Sequence, residues 1–205
     1  MAKIQAIRKE NADEPINIGD RAFDNLRFIR ETMERSAHFT AIPGYGGALM
    51  GVTAIGAAII AQNQTTIRGW LITWLTEALL AFIIGIFAVW QKAKNSGDSL
   101  TSAPSRKFAL AFAPPLVAGV ILTALFYIRG FFPFLPTVWL TLYGAAVATG
   151  GAYSVKIVPI VGWIFIALGL ISVFFPSSYG DYFMAFGFGF VQIVFGLIVA
   201  RRYGG

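Results

Sequence analysis

Cysteine is absent from the sequence, and histidine occurs once, as His38. The lack of cysteine excludes disulfides, thiolate metal sites, iron–sulfur clusters and cysteine nucleophiles. One histidine cannot give a haem two histidine ligands. Because His38 precedes the first apolar segment, it cannot form a serine–histidine pair inside a membrane either. The apolar segments also contain no pair of carboxylates, no phosphate-binding loop and no cluster of metal ligands. We therefore expect a protein that is not an enzyme and that has no cofactor and no metal.

Charged residues are also scarce: they make up 13% of the chain, whereas 57% of the residues are hydrophobic. Soluble domains rarely show this balance. A helix of about 20 apolar residues is long enough to cross a bilayer, and six segments are predicted to do so: Gly44 to Ala61, Gly69 to Trp90, Phe108 to Ile128, Thr137 to Tyr153, Ile157 to Phe175 and Tyr182 to Ala200. The predicted fold class is all-α, a polytopic membrane protein built as a bundle of six transmembrane helices with an N-terminal cytoplasmic amphipathic helix.

The segment before the first span, residues 1–42, is predicted to be a domain separate from the bundle of residues 43–205. Asp20 is expected to cap a helix that ends near Ala37. The apolar residues of this helix recur at spacings of three and four and therefore share one stripe: Ala22, Leu26, Ile29, Met33 and Ala37. Three arrangements are open for it. It can lie in the membrane interface, pair with a second copy of itself, or pack under its own bundle.

The distribution of Lys and Arg predicts the orientation of the chain. All but two of the 16 basic residues fall on the side of the N-terminus, and the two on the other side are Arg68 and Arg129. Basic residues accumulate on the cytoplasmic side of membrane proteins, so both termini are predicted to be cytoplasmic. The same topology accounts for the net charge of +6, so we expect no nucleic acid among the partners.

Glu77 is the only carboxylate in any of the predicted spans. A lone carboxylate in hydrocarbon needs a partner, a proton or a water-filled cavity. Helical rotation places Thr73 and Trp74 on a similar face, and Gln192 is the polar residue of the last span. Two interpretations of this predicted intramembrane polar site are open. Glu77 either binds a proton or cation in a translocation path, or is a hydrogen-bonded glutamic acid that locks the bundle. Gln192 is expected to hydrogen bond between helices rather than to bind a ligand.

Proline and small residues predict further features of the spans. Pro114 and Pro115 lie inside the third span, where a kink or a break is expected; it either opens a helix beside the path or merely bends it. Small residues let two helix backbones approach closely in lipid. The predicted packing positions are Gly47 and Gly51 in the first span and Gly144 and Ala148 in the fourth.

The two halves of the predicted bundle show a faint likeness. The second and fifth spans both begin with Gly-Trp, at Gly69 and Gly162, and the first and fourth spans are the richest in small residues. A unit of three spans that is repeated once must reverse its direction across the membrane. Such inverted repeats are common in transporters, and we predict one here.

Three stretches of the chain carry a resemblance. They are RFIRETMERSAHFTAIPGYGG, YGAAVATGGAYSVKIVP and IVARRYGG. These stretches resemble those of an uncharacterised family of small six-span bacterial inner-membrane proteins, and the likeness covers most of the chain. The resemblance implies the bacterial inner membrane as the location, and it implies no activity and no functional residue.

The sequence therefore predicts an integral membrane protein that moves a small solute or ion, with Glu77 as its intramembrane carboxylate. A non-catalytic scaffold or accessory subunit of a larger membrane complex is the alternative, and a membrane sensor coupled to a cytoplasmic regulator is a third. The expected partners are the lipid bilayer and either further copies of the chain, bound through the glycine-rich faces, or another membrane protein.

Overall fold

The structure, a computed structural model, describes residues 23, 25–29, 33, 39–40, 42–96 and 100–203. The chain divides into two compact units, Met1–Ala37 and His38–Gly205. In the first unit the described residues are helical and exposed. The predicted cap at Asp20, the rest of the predicted amphipathic helix and His38 lie outside the described residues. The amphipathic helix therefore stays a prediction.

The second unit is built from helices. Helix α1 comprises Gly44–Gln62, α2 Ile67–Ser96, α3 Ala103–Arg129, α4 Leu135–Gly151 and α5 Ile157–Ser172. A 3₁₀ turn at Phe132–Phe134 precedes α4. The last span begins with a 3₁₀ turn at Ser177–Tyr179, continues as α6, Gly180–Met184, widens into a π-helix over Ala185–Val191, and ends as α7, Gln192–Tyr203. Apart from an isolated bridge between Phe39 and Ser154, the described residues form no β-structure.

Five helical segments in the described part of the chain are long and apolar enough to cross a membrane: Gly44–Gln62, Ile67–Asn95, Ala103–Arg129, Phe132–Gly151 and Ser177–Tyr203. These five helical segments are compatible with the predicted membrane helical bundle. Helix α5 has 16 residues and is about 24 Å long, shorter than a hydrocarbon core of about 30 Å. Six membrane crossings therefore stay a prediction.

Hydrogen bonds and one aromatic stack identify the two ends of the bundle. At one end, which we call the Lys92 end, the Lys92 ammonium donates to the carbonyl oxygens of Ile42, before α1, and Tyr203, in α7, at 2.8 and 3.0 Å. At the other, the Trp70 end, the Trp70 ring stacks on Trp139 near the start of α4. There the hydroxyl oxygens of Thr137 in α4 and Ser172 in α5 lie 2.6 Å apart.

The path of the chain follows from these ends. Helix α4 and the last span both run from the Trp70 end to the Lys92 end, so α5 between them must return in the opposite direction. At the start of α5 the Phe39 amide donates to the carbonyl oxygen of Tyr153 at 2.8 Å, which ties the segment before α1 to the Lys92 end. The chain thus passes between the two ends six times.

Close backbone packing joins two sets of helices. Helix α1 packs against α2 and the last span, and α4 packs against α3 and α5. A Cβ atom added at Gly51 would lie 2.7 Å from the carbonyl oxygen of Gly189 in the last span. One added at Gly144 would lie 2.7 Å from the carbonyl oxygen of Gly162 in α5. Glycine is therefore required for these helices to approach as closely as they do.

The proline pair does not end helix α3, which continues through Pro114 and Pro115 to Arg129. The structure thus corrects the expectation of a break, while a kink at this position stays a prediction. Proline at position 115 has no amide hydrogen to donate to the carbonyl oxygen of Ala111, four residues earlier. The Thr149 hydroxyl in α4 lies 2.8 Å from that oxygen. A hydroxyl of the neighbouring helix is thus placed where it can donate to that oxygen.

Candidate functional site

Glu77 lies in α2 with 8% of its surface exposed. Its Oε1 atom is 2.8 Å from the Thr53 hydroxyl of α1. The two residues meet because α1 and α2 pack along one another. Thr53 is the one side-chain hydrogen-bond partner of Glu77 among the residues that the structure describes. Within the described part of the chain, the carboxyl group is therefore enclosed and is bonded through one oxygen only.

The Thr53 hydroxyl has a second neighbour, the carbonyl oxygen of Met50, at 2.9 Å. A hydroxyl has one hydrogen to donate and can also accept. If Glu77 is protonated, its carboxyl donates to Thr53, which donates to Met50. If Glu77 is ionised, the Thr53 hydroxyl turns and donates to the carboxylate. Both protonation states are hydrogen-bonded without movement of any non-hydrogen atom.

The other residues of the predicted polar site do not contact this pair. The Thr73 hydroxyl donates to the carbonyl oxygen of Gly69 at 2.9 Å, within its own helix. Gln192 is buried, and its side chain hydrogen bonds to that of Tyr143 in α4. Gln192 thus joins the last span to α4. The structure brings neither Thr73 nor Gln192 to the Glu77 carboxyl.

Trp74 contacts a different carboxylate. The indole nitrogens of Trp70 and Trp74 both donate to Oδ1 of Asp181 in the last span, at 2.7 and 2.9 Å. We call these three residues the Trp–Asp cluster. The Trp70 ring stacks on Trp139 with ring centroids 5.6 Å apart, and the Trp139 indole donates to Thr123 of α3 at 2.8 Å. The contacts at this end therefore reach from α2 to the last span, α4 and α3.

Sequence reasoning missed two groups that the structure places at or near the site. Thr53 was not singled out, because a threonine in an apolar helix gives no sign of which helix it will face. Asp181 follows a turn and lies outside the predicted spans, so its position beside two tryptophans of α2 had no local signal. Glu77 itself stood out because of its charge.

The predicted packing residues lie at interfaces within the chain. Gly47 and Gly51 of α1 face the last span, where their neighbours are Gly196 and Gly189. Gly144 faces Gly162 of α5, and Ala148 is the backbone neighbour of Gly162 in the same interface. These faces are therefore occupied by other helices of the same chain.

The chemistry that this site offers is that of one carboxyl and one hydroxyl group. No group of three or more His, Cys, Asp or Glu side chains in the described part of the chain is placed to hold a metal ion. Comparison with protein-family models, curated proteins and solved structures finds no match for this chain.

Proposed function

We propose that this protein is a non-enzymatic carrier of a small solute or ion in the bacterial inner membrane, and that Glu77 binds and releases the coupling proton or cation. The observation that carries this proposal is the placement of the Thr53 hydroxyl between Glu77 and Met50, at 2.8 and 2.9 Å. A carboxyl group inside an apolar bundle is a functional candidate by default. This one has a partner that can serve its neutral form and its charged form.

The Thr53 hydroxyl gives each of the two protonation states of Glu77 a hydrogen-bond partner. A buried carboxylate without a donor is strongly disfavoured, and a buried carboxylic acid without an acceptor also loses a hydrogen bond. Thr53 provides a donor in the first case and an acceptor in the second. A carrier needs this property, because its coupling site must be both loaded and emptied. A purely structural bond needs one state only.

The packing of the helices supports a transporter as well. Helix α1 contacts α2 and the last span, and α4 contacts α5 and α3. If the first span is exchanged with the fourth, the second with the fifth and the third with the sixth, the contacts of α1 become the contacts of α4. This exchange is what the predicted inverted repeat requires, and inverted repeats are common in transporters. In the proposed orientation six spans cross the membrane, the Lys92 end and both termini face the cytoplasm, and the Trp70 end faces outward.

Flux into liposomes tests the proposal. We expect purified wild-type protein to move protons or a monovalent cation, and Glu77→Gln to lose this flux because the amide cannot bind a proton. Thr53→Val should retain flux at a reduced rate, since Glu77 keeps its carboxyl but loses its partner. Thr76→Val, at an exposed position beside Glu77, is the matched control and should behave as wild type. Equal flux in wild type and Glu77→Gln would contradict the proposal.

One observation favours the alternative, an accessory subunit of a membrane complex. In the most apolar windows of α2 and α3 only 11% and 6% of the residues are buried, and neither helix packs along the other. The glycine faces of α1 and α4 are already occupied within the chain. We therefore expect a second copy or a partner subunit to bind at α2 and α3. Absence of flux, together with a stoichiometric partner that α2 substitutions release, would favour this function.

A further inference from the structure

Helix α2 is held to the last span by an unusual contact. Both indole N–H groups of Trp70 and Trp74 donate to the same oxygen of Asp181, at 2.7 and 2.9 Å. The rest of α2 is poorly enclosed, because only 11% of the residues in its apolar window are buried. The two hydrogen bonds therefore add to the packing against α1 in holding the Trp70 end of α2.

The Trp–Asp cluster lies between the end of the bundle and Glu77. Trp70 and Trp74 precede Glu77 by seven and three residues, so they lie on a similar face of α2 and about 10 and about 4.5 Å nearer the Trp70 end. Trp74 is 3% exposed and packs against Ala57, Ala58 and Ala61 of α1 and Met184 of the last span. These contacts close the interface of α1, α2 and the last span beyond Glu77.

The cluster itself can be reached from the surface. Asp181 and Trp70 are half-buried, whereas Trp74 is fully buried. Loss of the Asp181 contact would free both indole groups of α2 at once, since both use one acceptor atom. The stack of Trp70 on Trp139 would then be the remaining aromatic contact of this end with α4.

We propose that Asp181, Trp70 and Trp74 form the gate at the Trp70 end that controls access to Glu77. With Asp181 bonded to both indoles, α2 lies against the last span and Glu77 is enclosed. Release of Asp181 lets the end of α2 move away and opens the path to the carboxyl group. Asp181 is thus a positioning residue. The inference rests on the proposed function, because a gate implies that Glu77 has to be reached.

Thiol accessibility tests the gate directly, since the natural chain has no cysteine and each introduced cysteine is the only thiol. Ala57→Cys places a thiol beside Trp74, and its modification by a membrane-impermeant maleimide is measured on the full chain in liposomes. Asn63→Cys, in the exposed turn at the Trp70 end, gives the fraction of molecules with that end outward. Ala146→Cys, fully buried in α4, reports any general loosening of the bundle.

We expect Asp181→Ala to speed modification of Ala57→Cys by about tenfold, the change that corresponds to the loss of hydrogen bonds of modest strength. Asp181→Asn keeps an oxygen acceptor and should give a smaller increase. Modification of Ala146→Cys should not change. If Asp181→Ala does not fold, the double variant Trp70→Phe with Trp74→Phe removes both donors, leaves a smaller aromatic ring at each position and should give the same increase.

Two results would overturn the gate. One is an unchanged rate at Ala57→Cys in the double tryptophan variant, and the other is an equal increase at Ala146→Cys. Labelling requires no transport, so the two proposals fail separately. A responsive thiol in a protein without flux would refute the carrier alone, and flux that depends on Glu77 with an unresponsive thiol would refute the gate alone.

Discussion

At the scale of single residues, the unit that matters is one hydroxyl between a carboxyl oxygen and a backbone carbonyl. The Thr53 hydroxyl can donate to either neighbour and accept from a protonated Glu77. Hydrocarbon does not solvate a charged side chain. The protonation state of Glu77 therefore depends on whether the Thr53 hydroxyl donates to the carboxyl group or accepts from it. The charge of Glu77 could be recognised in the sequence. Its partner could not, because the choice of Thr53 depends on how α1 and α2 pack.

Another hydroxyl has a role that can be isolated by a double substitution. Thr149 lies against the carbonyl oxygen of Ala111, which Pro115 leaves without its helical donor. We expect Thr149→Val to lower the free energy of unfolding by about 1 kcal/mol in the wild-type chain. In a Pro115→Ala background the helix supplies its own N–H, and the same substitution should cost much less. Unfolding in mixed detergent micelles measures both.

The control for this cycle is Thr149→Ser, which keeps the hydroxyl and should stay near wild type in both backgrounds. An equal cost of Thr149→Val with and without Pro115 would show that the hydroxyl does not serve the Ala111 carbonyl. The contact would then be incidental, since the Thr149 hydroxyl also lies near Ala145 and Ala146 of its own helix.

At the scale of helices, close approach through glycine decides the packing. A Cβ atom added at Gly51 would meet the carbonyl oxygen of Gly189 at 2.7 Å and the amide nitrogen of Ile193 at 2.9 Å. One added at Gly56, on the same helix, would meet no atom within 4 Å. The two positions differ only in what faces them, so α1 carries its own control.

We expect Gly51→Ala to destabilise the protein by about 1–3 kcal/mol, because α1 and the last span must separate to admit a methyl group. Gly56→Ala should be close to neutral. Thermal unfolding of both variants in the same detergent compares them. Equal midpoints for the two variants would show that the small residues of α1 do not set its distance from the last span.

Helix positions could be predicted from apolar runs, but helix ends could not. Helix α2 continues to Ser96, beyond the predicted end of the second span at Trp90, and α3 begins at Ala103, before the predicted start of the third span at Phe108. Apolar residues mark the part of a helix that suits hydrocarbon, whereas its end depends on capping. Helix α3 ends at Arg129, one residue after the predicted end of the third span, because Gly130 adopts φ 75° and closes the helix. The π-helix over Ala185–Val191 had no signal in the apolar pattern.

At the scale of the whole molecule, the residues just before α1 and the end of α7 meet at the Lys92 end. The buried Lys92 ammonium donates to two carbonyl oxygens, that of Ile42 just before α1 and that of Tyr203 at the end of α7. Phe39, which the sequence assigned to the segment before the membrane, is buried beside Phe108 with ring centroids 4.7 Å apart. An all-helical chain with several long apolar helices could be predicted from the apolar runs. These long-range ties could not, because they join residues far apart in the chain.

The number of crossings determines where the termini lie. Six passes place both termini on one side of the membrane, whereas five would separate them. We expect protease-sensitive tags at the N- and C-terminus to be protected together in right-side-out vesicles, since α5 connects the two ends of the bundle despite its length. A tag inserted at residues 63–66 should be cut in the same vesicles. Cleavage of only one terminal tag would show that α5 does not cross.

The most direct measurement is the infrared spectrum of the Glu77 carboxyl group in lipid, recorded over a range of pH for wild type and Glu77→Gln. If Glu77 exchanges a proton, wild type should show the C=O band of a protonated carboxyl at low pH that is lost reversibly as the pH rises. This band should be missing in Glu77→Gln and shifted in Thr53→Val. A Glu77 band of constant intensity at every pH would mean that the group never releases its proton and only locks the bundle.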